Sequence, residues 1–152
     1  MKITSPEFVA NSHIPAQYTC DGEDISPPLQ ITGVPAEAET LALVVDDPDA
    51  PGSVFDHWIV WNIPSTLEKI PQGIPQKERP EQLEGATQGR NDFKQIGYRG
   101  PCPPSGEHRY RFKLYALDRS LDLPAGSSKE DLEGELREGL LEQSELVGLY
   151  QS

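Results

Sequence analysis

The 152-residue sequence predicts a single, mainly β domain with one helix, and three observations carry that expectation. The chain holds 15 prolines and 13 glycines spread throughout, which interrupts long helices and favours short strands joined by turns. Residues 108–117, HRYRFKLYAL, alternate with period two, as a half-buried strand does. Helical spacing occurs near the C-terminus only, so the pattern is not a repeating βαβ one. The sequence shows no internal repeat or low-complexity tract, and residues 1–152 read as one domain.

Taken in order, residues 40–46, TLALVVD, form a short apolar run with a β-branched end, the mark of a buried strand. Residues 57–63, HWIVWNI, place His57, Ile59, Trp61 and Ile63 on one face, with Trp58 and Val60 on the other. Both faces are apolar, so the segment predicts a central strand. Residues 65–97 are rich in Pro, Gln, Gly and charge and read as a long excursion with one short strand. In the alternating run, His108, Tyr110, Phe112, Leu114 and Ala116 share the core face. Arg109, Arg111 and Lys113 share the other and read as a solvated face. Residues 127–143, SSKEDLEGELREGLLEQ, predict a helix capped by Ser127 with Glu130 as capping-box partner. Leu132, Leu136 and Leu140 make its apolar stripe, while Gly134 and Gly139 weaken it. ELVGLY, 145–150, predicts a last strand.

The net charge of −12 excludes a broad nucleic-acid surface, which needs clustered Lys and Arg, but leaves room for a small anion site built from local donors. The first residues contain no apolar run long enough for a signal-peptide core or a membrane span, and the expectation is a soluble, cytoplasmic protein. Two cysteines, Cys20 and Cys102, are too few for a secreted disulfide framework. They are read as reduced thiols, with a disulfide or a thiol pair beside a site as the alternatives.

Four short pieces carry the chemistry: DPDAP at 47–51, DHW at 56–58, GYRGPCPPSG at 97–106 and HRY at 108–110. With CDGEDISPPLQ at 20–30 and GRNDF at 89–93, they closely resemble the phosphatidylethanolamine-binding protein family, also called Raf kinase inhibitor-like proteins, in its small bacterial and archaeal branch. The resemblance spans nearly the whole chain. It implies a Greek-key antiparallel β sandwich with a C-terminal helix and short peripheral helices. It also implies a small pocket for an anion, typically a phospholipid head-group phosphate or a simpler oxyanion. Carried onto this sequence, the pocket residues are Asp47, Asp49, His57, Gly100, Cys102, Pro103, Pro104, His108 and Tyr110. The resemblance further suggests a cis bond at Ala50–Pro51 and a homodimer. It assigns no role to Tyr150, because the C-terminal gate of animal members does not transfer.

These residue types suit that chemistry. Two imidazoles on neighbouring strands can both donate to one phosphate, and a carboxylate beside one of them holds its tautomer and favours its charged form. Tyr110 lies on the face of His108 and adds a hydroxyl. Prolines stiffen the GPCPPSG loop and lower the ordering cost of binding. The expectation is a non-enzymatic binding module without cofactor or metal, possessing a small anionic ligand and a potential protein partner. The alternatives are a protease or kinase inhibitor acting through a protein surface, and a hydrolase using Cys102, with His108 as base, or the His57/His108 pair. Asp47, His57 and His108 lack the tight spacing of a metal site, and His13 sits in a loop without an evident role.

Overall fold

A computed structural model describes residues 1–152. The element order is β1 (Lys2–Thr4), β2 (Leu29–Thr32), β3 (Thr40–Asp47), β4 (Phe55–Pro64), β5 (Lys69–Ile70), β6 (Thr87–Gln88), β7 (His108–Leu117), α1 (Lys129–Leu136) and β8 (Leu140–Tyr150). Short 3-10 turns lie at Ala16–Tyr18 and Glu81–Leu83. Two antiparallel sheets form, one ordered β1-β2-β5 and the other β6-β4-β3-β7-β8. After the β3–β4 hairpin the chain crosses through β5 and β6 before β7 returns beside β3, a Greek-key path. The expected β sandwich with one C-terminal helix is therefore present.

The larger sheet is buried on both faces at its centre, as the apolar runs in β3 and β4 required. On the inner face Leu41, Leu43, Val45, Trp58, Val60, Phe112 and Leu114 pack toward Ile3, Leu29, Ile31 and Ile70 of the smaller sheet. On the outer face Ala42, Val44, Ile59 and Trp61 pack under Leu132 and Leu136 of α1.

In β4 the simple alternation expected to keep His57, Ile59, Trp61 and Ile63 on one face is broken twice. Val45 pairs with Trp58 and Asp46 with Asp56, so His57 is an extra residue on β4 with no partner on β3. A second irregularity lies between Val60 and Ile63, where Asn62 takes φ 56°. Each bulge reverses which side chains face in. Ile59 and Trp61 stay on the helix side, while Ile63 joins the inner core with Trp58 and Val60. His57 leaves the Ile59 face and turns toward Tyr110 on the inner side, with ring centroids 5.4 Å apart.

The helix is shorter than its leucine stripe suggests and starts one residue later. Ser128, not Ser127, is the N-cap. Its hydroxyl accepts from Asp131 N at 3.2 Å, and Asp131 Oδ2 accepts from Ser128 N at 3.1 Å. The chain leaves the helix before Gly139, whose φ of +81° is a left-handed conformation that favours glycine. Leu140 therefore begins β8 and is exposed, and the last strand runs over eleven residues, 140–150, instead of six. A long ladder to β7, with one irregularity beside Leu141, outweighs the weak helix propensity of this glycine-containing segment. The Ala50–Pro51 bond is trans, as every peptide bond is. The turn after β3 reverses with Gly52 at φ +88°, so it needs no cis proline. No helix is long and apolar enough to cross a membrane.

Candidate functional site

At the end of β3 two adjacent carboxylates point to opposite faces of the sheet. Asp46 faces outward and is fully buried beneath Arg111, Lys113 and Lys129, with Arg111 Nε at 2.8 Å and Lys113 Nζ at 2.7 Å. Lys129 also meets Asp56 at 2.8 Å. Burial raises the Asp56 carboxyl above its ordinary value, and the Lys129 ammonium only partly offsets this. Arg111 and Lys113 are thus not a simply solvated face. They neutralise a carboxylate that the sheet has buried.

Asp47 faces inward, and the site is built around it. Its Oδ2 accepts the Nδ1–H of His108 at 2.6 Å, and its Oδ1 accepts the backbone N–H of Asp49 at 2.8 Å. The first contact leaves Nε2 as the free ring nitrogen of His108. His57, displaced inward by its bulge, donates Nδ1–H to the carbonyl of Arg99 at 2.7 Å. A carbonyl only accepts, so the proton sits on Nδ1 and Nε2 carries a lone pair when the ring is neutral. Burial pushes the His57 pKa below its ordinary 6.5, outweighing the Arg99 carbonyl and the Asp47 charge, which both act upward.

Tyr110 lies between the two imidazoles, edge-on to His57 and nearly parallel to His108 at 6.4 Å. Its hydroxyl is buried without a hydrogen-bond partner. Burial first, then the charge and the near approach of the Asp47 carboxylate, which falls short of hydrogen-bond geometry, raise its pKa above the ordinary phenol value, so it is a neutral donor. Apolar walls surround these polar atoms. Phe55 and Phe93 stand edge to face at 4.8 Å, and both contact the His57 ring. Arg99 lies over Phe93 at 5.3 Å. Ala50 and Pro51 form one side, and Cys102, Pro103 and Pro104 another. The cavity between these walls is open to solvent on one side and measures about 280 Å³.

The structure brings together Asp47, His57, Cys102, Pro103, Pro104, His108 and Tyr110, as expected from the sequence. It leaves two expected residues outside. Asp49 forks with the Arg109 guanidinium at 2.8 and 3.0 Å and accepts from Arg109 N, and the hydrogen bonds from Arg109 hold its carboxyl down at about 2. Gly100 packs against the 18–24 segment: its N–H donates to Asp24 Oδ1 at 2.6 Å, and a Cβ there would lie 2.2 Å from the Tyr18 carbonyl oxygen. Both residues shape the loops around the cavity instead of lining it. Phe55 and Phe93 are wall residues that pattern reading missed. Phe55 directly precedes DHW, and Phe93 ends GRNDF, but isolated aromatics in loop-like sequence carry no periodic signal.

Cys20 and Cys102 are joined in a disulfide, which corrects the reading of two reduced thiols. The fold brings their Cα atoms to 5.4 Å, well inside the range a disulfide spans. Neighbouring Asp21 accepts from the Tyr150 hydroxyl at 2.6 Å, and Tyr150 pairs across the sheet with His108. The C-terminal strand thus ends against the loop that anchors the cavity wall. No group of three His, Cys, Asp or Glu side chains is arranged to hold a metal ion.

Comparison with known proteins gives a concordant result. The family model described as phosphatidylethanolamine-binding protein matches residues 4–151. A curated UPF0098 protein of Methanothermobacter thermautotrophicus is 49% identical over 150 residues, covering 99% of this chain and 98% of its own. One from Pyrococcus abyssi is 49% identical over 149 residues, covering 97% of this chain and 83% of its own. Among solved structures, a putative phosphatidylethanolamine-binding protein homologue from Chlamydia trachomatis superposes with a TM-score of 0.89 at 38% identity, covering 99% of this chain and 96% of its own. YbcL of E. coli, described as a member of the mammalian PEBP family, superposes with a TM-score of 0.91 at 33% identity, covering 99% of this chain and 98% of its own. With its sandwich fold and a family match across nearly its whole length, the chain belongs to the phosphatidylethanolamine-binding protein family.

Proposed function

We propose that this protein is a non-enzymatic binding module for a small phosphate-bearing or other oxyanion ligand. One observation carries the reading. The Nε2 atoms of His57 and His108 have no protein hydrogen-bond partner, the buried Tyr110 hydroxyl has none, and all three residues line one apolar-walled cavity. A buried hydroxyl without a partner is costly, and a ligand oxygen removes that cost. Protonated at Nε2, each imidazole becomes a charged donor. Asp47 balances the charge on His108, and the Arg99 carbonyl keeps His57 aimed. Phe55, Phe93 and the prolines exclude water from these bonds and offer apolar surface to the part of the ligand that carries the oxyanion.

The family name extends the proposal to a phosphoethanolamine-like head group. The test is a titration of inorganic phosphate and of phosphoethanolamine, following the ring resonances of His57 and His108 by NMR. Saturable shifts on both rings, lost in a folded His57→Ala variant, are expected. Binding that is unchanged in that variant removes the assignment.

A further inference from the structure

The cavity wall made by Cys102, Pro103 and Pro104 has one covalent tether and few others. Gly100 is held by Asp24, and the Pro101 carbonyl accepts from Cys20 N at 3.1 Å. From residue 102 to residue 107 the backbone makes no hydrogen bond, and two of these residues are prolines with no N–H to offer. Glu107 reaches only the exposed His13. Between Pro101 and the start of β7, the Cys20–Cys102 bond and the packing of the buried Pro103 are what hold the wall against the molecule.

The other end of this bond is independently secured. The Asp24 N–H donates to the Gln17 carbonyl, the Gly22 N–H to the Thr19 carbonyl, and the Tyr98 hydroxyl to the Tyr18 carbonyl at 2.6 Å. Without the disulfide, the wall would keep only the packing of Pro103, whereas the 16–24 segment would keep these hydrogen bonds. Cys102 is exposed and lines the cavity, whereas Cys20 is half-buried, so Cys102 is the more accessible end of the bond.

We propose that Cys20–Cys102 is a reversible thiol–disulfide site that sets the affinity of the cavity, an inference that rests on the oxyanion reading above. The reductant is a dithiol. Its thiolate attacks Cys102 Sγ, forming a mixed disulfide, and Cys20 departs as a thiolate that takes up a proton. The second sulfur of the reagent then attacks the mixed disulfide, closes the reagent's own disulfide and releases Cys102 as a thiolate that is protonated in turn. The reagent loses two electrons and the protein gains two thiols. In the reduced protein the wall must be ordered when ligand binds, which weakens binding. Linkage makes the effect reciprocal: bound ligand shields the disulfide from reduction by the same factor.

The test titrates inorganic phosphate into the full chain, oxidised and after treatment with a dithiol, with thiols counted chemically and the His57 and His108 rings followed by NMR. About tenfold weaker binding in the reduced, folded protein is expected, a coupling of ordinary size. A Cys20→Ser/Cys102→Ser variant, which cannot reoxidise, should match the reduced protein. Binding within about twofold of the oxidised protein, with both thiols counted and the fold intact, overturns the proposal. So does global unfolding on reduction, which makes the bond a structural staple. If the oxidised protein shows no saturable shift, the oxyanion reading itself fails. The switch is then judged by backbone order parameters from NMR relaxation at Cys102 and residues 105–107. Lower order there on reduction, with the sheets unchanged, keeps a redox-mobile wall, and unchanged order removes it.

Discussion

Asp47 Oδ2 lies 2.6 Å from His108 Nδ1, and both side chains are almost wholly buried. This contact decides which nitrogen of His108 is left for a ligand. Asp47→Ala leaves a buried imidazole N–H without an acceptor and should lower stability by about 1–3 kcal/mol. Asp47→Asn retains an acceptor oxygen but not the charge that supports a protonated ring. It should keep most of the stability and bind sulfate more weakly, a separation visible by pairing chemical denaturation with calorimetric titration. Equal sulfate affinity in wild type and Asp47→Asn would show that the carboxylate does not support His108 in binding.

The burial of His57 produces two pH effects of opposite sign. Its folded pKa is depressed below 6.5, so between the two values the unfolded chain binds more protons. The stability contributed by neutral His57 is fully present above 6.5 and is lost as pH falls toward the folded value. Ligand affinity should instead rise over the same fall, because the charged donor forms at Nε2. Sulfate, which stays a dianion throughout, is the suitable probe. Tighter binding on acidification, with a shallower slope in His57→Gln, is the expected outcome, and a flat profile in the wild type contradicts it.

Asp49 and Gly100 separate lining from support. Asp49→Ala removes a solvent-facing pair with Arg109 and leaves in place the backbone N–H that holds Asp47. Phosphate affinity should stay within about twofold, as exposed pairs contribute little. Gly100→Ala drives a Cβ against the Tyr18 carbonyl and should cost about 1–3 kcal/mol while displacing the cavity wall. Thermal melts and phosphate titrations on the two variants check both statements, and the reverse ranking would place Asp49 in the site.

Asp46 tests whether the far face of the sheet matters to binding. Asp46→Ala leaves Arg111 and Lys113 without the carboxylate they cover. The expected loss is about 3 kcal/mol, the lower end for a buried pair, because both cations keep part of their exposure. Phosphate affinity of the folded variant should not change. A large change in affinity with normal stability would mean that the two faces are coupled.

Periodicity and apolar runs alone marked β3, β4, β7 and the end of β8 as strands and showed which face of β7 is buried, because alternation records burial directly; the short β1 and β2 carry too few residues for such a signal. The apolar runs of β3 and β4 likewise marked the centre of the larger sheet. The short motifs located most of the cavity residues, because they sit at strand ends and in the loops between. Only the tertiary structure decided the rest. The bulge that turns His57 inward follows from pairing with β3, which no local pattern records. The end of the helix and the start of β8 were decided by the ladder to β7, and Gly139 permits the turn. Asp46 and Asp47 are neighbours of identical chemistry, and the sheet gives one to an ion cluster and the other to the cavity. The pairing of Cys20 with Cys102, separated by 82 residues, required the fold to bring two loops together. In each case the deciding energy is a contact between distant segments, and a linear pattern carries burial but not partners.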